Sequence, residues 1–317
     1  MTIDIHRHLL VKGFGHETFW DWYGKLNLGW VETEAAQAAS VQEIKDKLMP
    51  SWWDPAGETA VAAMDEAGIE VSVLLPLDQG LLFGEAELSI EEQNRRVSDV
   101  ARRHPQRFVY FCGVDPRRTG ALELFEKSVR EWGARGLKLY PTTGFLPSDR
   151  AAYPFYERAA AWKIPILFHT GGQNPPYHSQ NAHPSLLLRP LVEFPDLRIV
   201  AAHLSFEWWR DLVALGKVRE NLLCDFCAWQ RVARANYGQF CHILRQVLDG
   251  FGAHRVLFGT DSPLLDHVAS NREWVAMVRD LPHRAPPPCR FTEEEVAGLL
   301  ETNARELLGP MNRGPIP

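Results

Sequence analysis

The chain has 317 residues, 45% of them hydrophobic, and a formal net charge of −6 with acidic and basic residues interspersed. That length supports a sizeable core and, in an α/β barrel, a single domain. With no basic stripe, nucleic acid is not an expected partner, and no apolar run approaches the roughly 18 residues of a membrane helix.

The five cysteines, Cys112, Cys224, Cys227, Cys241 and Cys289, are scattered and odd in number. That suits a reducing compartment better than a disulfide framework. The N-terminus enters a strand without a basic flank and apolar signal region, so a cytoplasmic location is expected. Cys224-Asp-Phe-Cys227 has the C-x-x-C spacing, but no second pair follows. The two are read as buried strand cysteines rather than a zinc ribbon or redox pair.

Thr2 to Leu10 reads as a short apolar strand. Side chains alternate faces in a strand, so His6 and His8 are expected to share a face, with Asp4 one layer below. Two imidazoles so placed can grip one metal ion. Residues 10–55 then break the rhythm with Phe14, Phe19, Trp20, Trp22, Tyr23, Trp30, Trp52 and Trp53. Long segments of this kind are often lids. The spacing places a helix over Glu34 to Leu48, and the segment is expected to fold over the barrel mouth.

From Glu58 the pattern becomes regular. Glu58 to Ala67 is an amphipathic helix stopped by Gly68, and Glu70 to Leu77 a buried strand. Helices over Ile90–His104, Ala121–Trp132, Ala151–Trp162, Pro184–Phe194, Phe206–Leu215 and Tyr237–Gly250 separate further apolar strands. Those strands start at residues 107, 136, 165, 197, 221 and 255. Helices near Asn271–Arg279 and Thr292–Glu301 close the chain, the latter with a capping-box signal, Thr292 to Glu295. Pro282 to Pro288 reads as a linker or a surface turn, and residues 310–317 as a tail. Eight strands alternating with helices imply a parallel sheet closed into a (β/α)8 TIM barrel over residues 1–309. A doubly wound sheet would need a Gly-rich phosphate loop, and there is no G-x-G-x-x-G.

On that barrel the polar residues converge. His6 and His8 end strand one, Lys138 lies in strand four, His169 ends strand five, His203 ends strand six, and Asp261 follows strand eight. All fall at the C-terminal rim, where barrel enzymes build their sites. Neutral imidazoles and one carboxylate suit Zn²⁺ first, with Mn²⁺ or Fe²⁺ as alternatives. Asp261 and His203 are the titratable groups able to move a proton. Trp229 and Arg231, after strand seven, are candidates for substrate contact, Arg231 through its planar fork to a carboxylate. His178 and His183 sit in the loop after strand five, either bordering the pocket or simply polar.

In this order of residues the chain resembles the amidohydrolase superfamily. Arg255-Val-Leu-Phe-Gly-Thr-Asp261-Ser-Pro263 and Asn303-Ala-Arg-Glu-Leu-Leu308 are similar to its amidohydrolase-related branch, which holds aminocarboxymuconate-semialdehyde decarboxylase, resorcylate decarboxylases and lactone hydrolases. The resemblance implies one divalent metal on His6, His8, His169 and Asp261. It also implies a catalytic His203 beside the metal, and Lys138 unmodified, either structural or touching substrate. The decarboxylases carry Gly-Glu after the strand-six histidine, whereas Leu204-Ser205-Phe206-Glu207 stands here. That difference favours a hydrolase, in which metal-bound hydroxide attacks an ester, lactone or amide of a small carboxylated or aromatic substrate. The alternative is decarboxylation of an aromatic or unsaturated acid, with Asp261 delivering the proton. The expected partner is a small-molecule substrate, with a homodimer as an open assembly.

Overall fold

A computed structural model describes residues 1–28, 40–47 and 49–310. Eight parallel strands form the barrel among these residues: β1 (Ile3–Arg7), β2 (Val71–Leu74), β3 (Phe108–Tyr110, continued by Cys112–Gly113), β4 (Leu137–Leu139), β5 (Ile166–Phe168), β6 (Ile199–Ala201), β7 (Leu222–Asp225) and β8 (Val256–Leu257). β3 changes partner at Phe111. Its N–H donates to Leu74 O on β2 at 3.1 Å, and the N–H of the next residue, Cys112, donates to Gly136 O at 2.9 Å. The barrel closes between β8 and β1, where Ile5 N donates to Phe258 O at 3.0 Å and Asp261 N donates to His6 O at 2.8 Å.

Two apolar layers hold the barrel together. Ile3, Ile5, Val73, Phe111, Leu167 and Leu257 belong to a compact cluster inside it. Leu74, Tyr110, Leu139, Phe168 and Phe258 belong to the larger cluster that joins the sheet to its helices. The two sets alternate along the strands, the period that a sheet buried on both faces requires. The helix Glu58–Ala67 ends on Gly68 in the left-handed region, as the sequence indicates. Capping boxes start Ile90–Arg103, Asn271–Arg279 and Glu293–Ala297.

Three readings are corrected. Asp4 does not lie beneath the histidines: the register of β1 on β2 shifts between Asp4 and Arg7, so Asp4 turns away from them. It accepts hydrogens from Arg7, Ser72 and Thr260 in a buried cluster that ties β1 to its neighbours. Of the two readings of Pro282 to Pro288 the linker gives way, because Leu281–Arg284 forms one helical turn with Pro282 in its tolerated first positions. The last predicted helix continues through a π turn at Gly298–Thr302 into Asn303–Leu308. Trp30, the start of the Glu34–Leu48 helix and the tail 311–317 lie outside the described residues; the described part of that helix is Val41–Lys47.

Candidate metal centre

The candidate donors come from four strand ends. His6 and His8 leave β1, His169 follows β5, His203 follows β6 and Asp261 follows β8, and the four histidines are almost fully buried. The ligand atoms of His6, His8 and Asp261 lie within 4.8 Å of one another.

Hydrogen positions follow from the partners. His8 Nδ1 is 2.7 Å from Leu75 O, and a carbonyl only accepts, so Nδ1 carries the hydrogen. His8 Nε2 then faces Asp261 Oδ1 at 3.0 Å. His6 Nδ1 donates to Asp225 Oδ2 at 3.0 Å, which leaves its Nε2 lone pair 3.7 Å from the same Asp261 oxygen. Burial and the nearby Lys138 cation push the His6 pKa down, so the ring is neutral. Burial and Asp261's setting oppose each other: burial raises its pKa, but the His8 bond and the surrounding histidines hold it well below the usual carboxylate range. Three potential ligand atoms therefore converge on one point. One proton could satisfy one pair; a divalent cation satisfies all three, and a ring whose far N–H is pinned is the usual form of a metal-binding histidine.

His169 stands beside this group. Its Nδ1 is 3.1 Å from His203 Nε2, and its Nε2 is buried without a hydrogen-bond partner. That orphaned nitrogen is a second sign that the site takes a cation, because a buried polar atom left unpaired costs ~1–3 kcal/mol. Burial pushes the pKa of His169 far down and that of His203 to about 3, so both are neutral. Lys138 lies beneath, its Nζ 3.4 Å from His6 Nε2, with burial lowering its pKa to about 8.

Above these residues opens a cavity of about 810 Å³. Its walls include Phe19, Trp22, Tyr23, Tyr140, Tyr177 and Phe206. Trp22 Nε1 donates to Pro175 O at 2.8 Å and Tyr23 OH to Leu264 O at 2.9 Å, which ties the helix Glu17–Leu28 to loops of the rim. The Tyr140 ring sits 4.4 Å from the His169 ring. Arg231 lines the cavity. Lys138 and Trp229 are not among its lining residues; Trp229 instead donates to His203 O at 2.7 Å from behind. His183 caps the turn Pro184–Leu187, and it too is absent from the lining.

Residues 203–206 follow β6 in an unusual backbone. His203, Leu204, Ser205 and Phe206 all have positive φ, between 46° and 59°. A left-handed non-glycine residue costs roughly 1–2 kcal/mol, so the turn needs fastening. Ser205 Oγ donates to Thr170 Oγ1 at 2.9 Å, Thr170 Oγ1 to Ala202 O at 2.6 Å, and His203 N to Asp225 Oδ1 at 2.9 Å. Phe206 is thereby laid flat on the His203 ring, 4.8 Å away and 4° from parallel. Gly171 makes room for it: a Cβ there would stand 2.4 Å from the Phe206 ring.

Sequence reasoning missed Asp225 as a site residue. It is fully buried and accepts from the His6 ring, His203 N and Cys227 N. Burial works against its charge, but His6 and these bonds hold its pKa well below the ordinary value. A carboxylate inside the apolar run Leu222-Leu-Cys-Asp-Phe226 was the available signal, because charges are seldom buried unpaired. Cys227 was read as inert strand filling, and its Sγ lies 3.0 Å from His203 Nδ1.

Comparison with known proteins agrees with this architecture. A family profile described as amidohydrolase matches residues 3–309. A 2-keto-4-carboxy-3-hexenedioate hydratase from Sphingobium sp. is 23% identical over 305 residues, covering 82% of this chain and 83% of the relative. Among solved structures, a dihydroxybenzoic acid decarboxylase from Polaromonas sp. with bound manganese and 2-nitroresorcinol superposes with a TM-score of 0.66 at 18% identity, over 99% of this chain and 98% of the other. A 5-carboxyvanillate decarboxylase from Sphingomonas paucimobilis gives 0.64 at 16%, over 97% and 98%.

Proposed function

The chain belongs to the amidohydrolase family, and from that premise we propose that it is a metal-dependent lyase that decarboxylates a planar aromatic or unsaturated acid. The carrying observation is the cavity itself, in which flat aromatic side chains stand directly over the cluster of His6, His8 and Asp261. The hydrolase reading drawn from Leu204 to Glu207 gives way here. The relatives reported above are named as a hydratase and two decarboxylases, and Leu204 to Phe206 continue from His203 in a left-handed turn rather than change the donor set.

His6, His8, His169 and Asp261 would hold one divalent ion, whose positive charge, when bound, anchors and polarises the acid substrate. Zinc, expected first, has no particular support; manganese, carried by the Polaromonas enzyme, is the ion to test first. Tyr140, Phe206 and the helix Glu17–Leu28, acting as a lid, stack the planar substrate and exclude water. Arg231, on the cavity wall, offers its guanidinium to an anionic group of the substrate. In the reaction the bond between carbon and carboxylate breaks, CO₂ leaves, and the electron pair stays on carbon. Asp261, loaded by a substrate hydroxyl or by water, hands that carbon its proton. His203 keeps the neighbouring ring nitrogens in order.

Hydration is the second reading, favoured by the Sphingobium relative's coverage of the chain. It uses the same Asp261 to protonate a carbon of a double bond. Purified protein loaded with manganese is offered carboxylated phenols and unsaturated diacids. Release of CO₂ from a carboxylated phenol supports decarboxylation. Loss of conjugation without CO₂ supports hydration. Cleavage of esters or lactones alone would overturn both.

A further inference from the structure

The cavity wall beside His169 carries a row of uncharged hydrogen-bonding groups whose polar atoms the function above leaves unused. Gln79 follows β2, Tyr140 follows β4, and Gln173 and Tyr177 lie in the loop after β5; all four line the cavity. The Tyr177 hydroxyl is 2.7 Å from the Gln79 side-chain amide, and the Tyr140 hydroxyl is 2.7 Å from that of Gln173. The other end of the Gln173 amide meets the Thr142 hydroxyl at 2.7 Å. Gln79 is 6% exposed and Tyr177 5%, so what these two groups face is the cavity rather than the outer surface.

The row is fastened from behind and from above. Asp78, next to Gln79, accepts from Asp115 N at 2.7 Å and from the Arg118 guanidinium at 2.6 and 2.8 Å, which pins the loop after β2. The Tyr177 ring meets Trp22 and Phe83 edge to face, with centroids 4.9 and 5.2 Å away. A ring wedged in this way holds its phenol oxygen in one place. A hydroxyl can make three hydrogen bonds, one given and two accepted. The Gln79 amide takes one of them, so Tyr177 keeps bonding capacity whichever way that amide is turned.

The charged groups lie elsewhere. Arg231 and Asp261 follow β7 and β8, on another part of the rim. The carboxylate of an acid substrate belongs with them and the ion. A charge brought against the neutral row would lose its hydration with no counter-charge, whereas an uncharged oxygen finds hydrogen-bonding partners there. We propose that Tyr177, held by Gln79, is a specificity-determining residue that bonds an uncharged hydroxyl or oxo oxygen of the substrate. The inference rests on the reading of the cavity as the site of a planar acid.

Manganese-loaded protein is titrated in a calorimeter with benzoate and with 2-, 3- and 4-hydroxybenzoate. One isomer, the one whose hydroxyl reaches Tyr177, should bind about 3- to 10-fold tighter than benzoate. In Tyr177→Phe, which keeps the wedged ring, that ratio should fall to about 1. A merely structural loss would weaken benzoate and the isomer together and leave the ratio standing. If Tyr177→Phe does not fold, Gln79→Leu, which frees the hydroxyl to turn, takes its place with the same two outcomes. No preference in the wild type, or a preference kept in the variant, as chelation of the ion by the hydroxyl would give, overturns the proposal. Release of CO₂ is read separately. A Tyr177-dependent preference in a protein that releases no CO₂ from any carboxylated phenol would sink the lyase reading and leave this inference standing; CO₂ release with the preference kept in Tyr177→Phe would do the reverse. Binding of none of the four acids would overturn both.

Discussion

Replacing Asp225 by Asn separates fold from metal binding. The carboxylate uses Oδ1 for the backbone N–H groups of His203 and Cys227, at 2.9 and 3.1 Å, and Oδ2 for His6 Nδ1 at 3.0 Å. An amide keeps an oxygen for the backbone groups but turns its NH₂ towards His6. His6 can then accept at Nδ1 only by moving its hydrogen to Nε2, the nitrogen aimed at the ion. Removing a carboxylate that holds a ligand histidine typically costs 10- to 100-fold in metal affinity, about 1.4–2.8 kcal/mol. Losing one charge-assisted hydrogen bond should cost ~1.5–3 kcal/mol of stability. Titration calorimetry with manganese(II) reads the affinity, and thermal unfolding of the metal-free protein reads the stability. Asp225→Ala should be worse on both counts, because it strands three donors. Asn protein that binds manganese as tightly as the wild type would refute the assignment of the His6 tautomer, and with it the convergence of lone pairs on the site.

Three further outcomes are expected. Asp261→Asn should lose both metal and turnover, and His203→Asn, which removes the ring facing His169 Nδ1, should weaken affinity for manganese(II) about 10- to 100-fold; His203→Asn with unchanged affinity would contradict its role. Trp22→Ala, which opens the aromatic wall and breaks the bond to Pro175 O, should raise KM for a planar acid far more than it lowers kcat; an unchanged KM would remove the helix Glu17–Leu28 from the lid role. Lys138 has its pKa lowered from 10.5 to about 8 by burial, so the unfolded chain holds this proton where the folded chain has released it. Metal-free wild type should therefore gain stability relative to Lys138→Met as pH rises from about 8 to 10.5, by up to about 3 kcal/mol. Parallel stability curves for the two proteins would rule that out.

The barrel was legible because its information is local and periodic. Apolar runs such as Val71–Leu74 and Ile166–Phe168 are buried on both faces, and the helices between them carry their own caps. The clustering of the candidate donors was legible for a related reason: a polar residue at the end of such a run must emerge at the rim, and Asp261 and the histidines do. What stayed hidden depends on register and on long-range pairing. One shift within β1 sends Asp4 to the Arg7 side and keeps His6 and His8 together, and no periodicity announces it. Asp225 and Cys227 meet His6 and His203 across 219 and 24 residues of chain, so their hydrogen bonds appear only once the barrel has closed. The turn after His203 was misleading because its four left-handed residues include no glycine. Its conformation is held by Thr170, Asp225 and Trp229, which belong to two other strand ends.

Anomalous diffraction at the manganese edge, from crystals of the manganese-loaded protein, tests the central claim most directly. One peak per chain is expected, bounded by Nε2 of His6, His8 and His169 and by the Asp261 carboxylate. No peak, two peaks, or a single peak against Cys227 and Asp225, the other cluster that His6 joins, would contradict it.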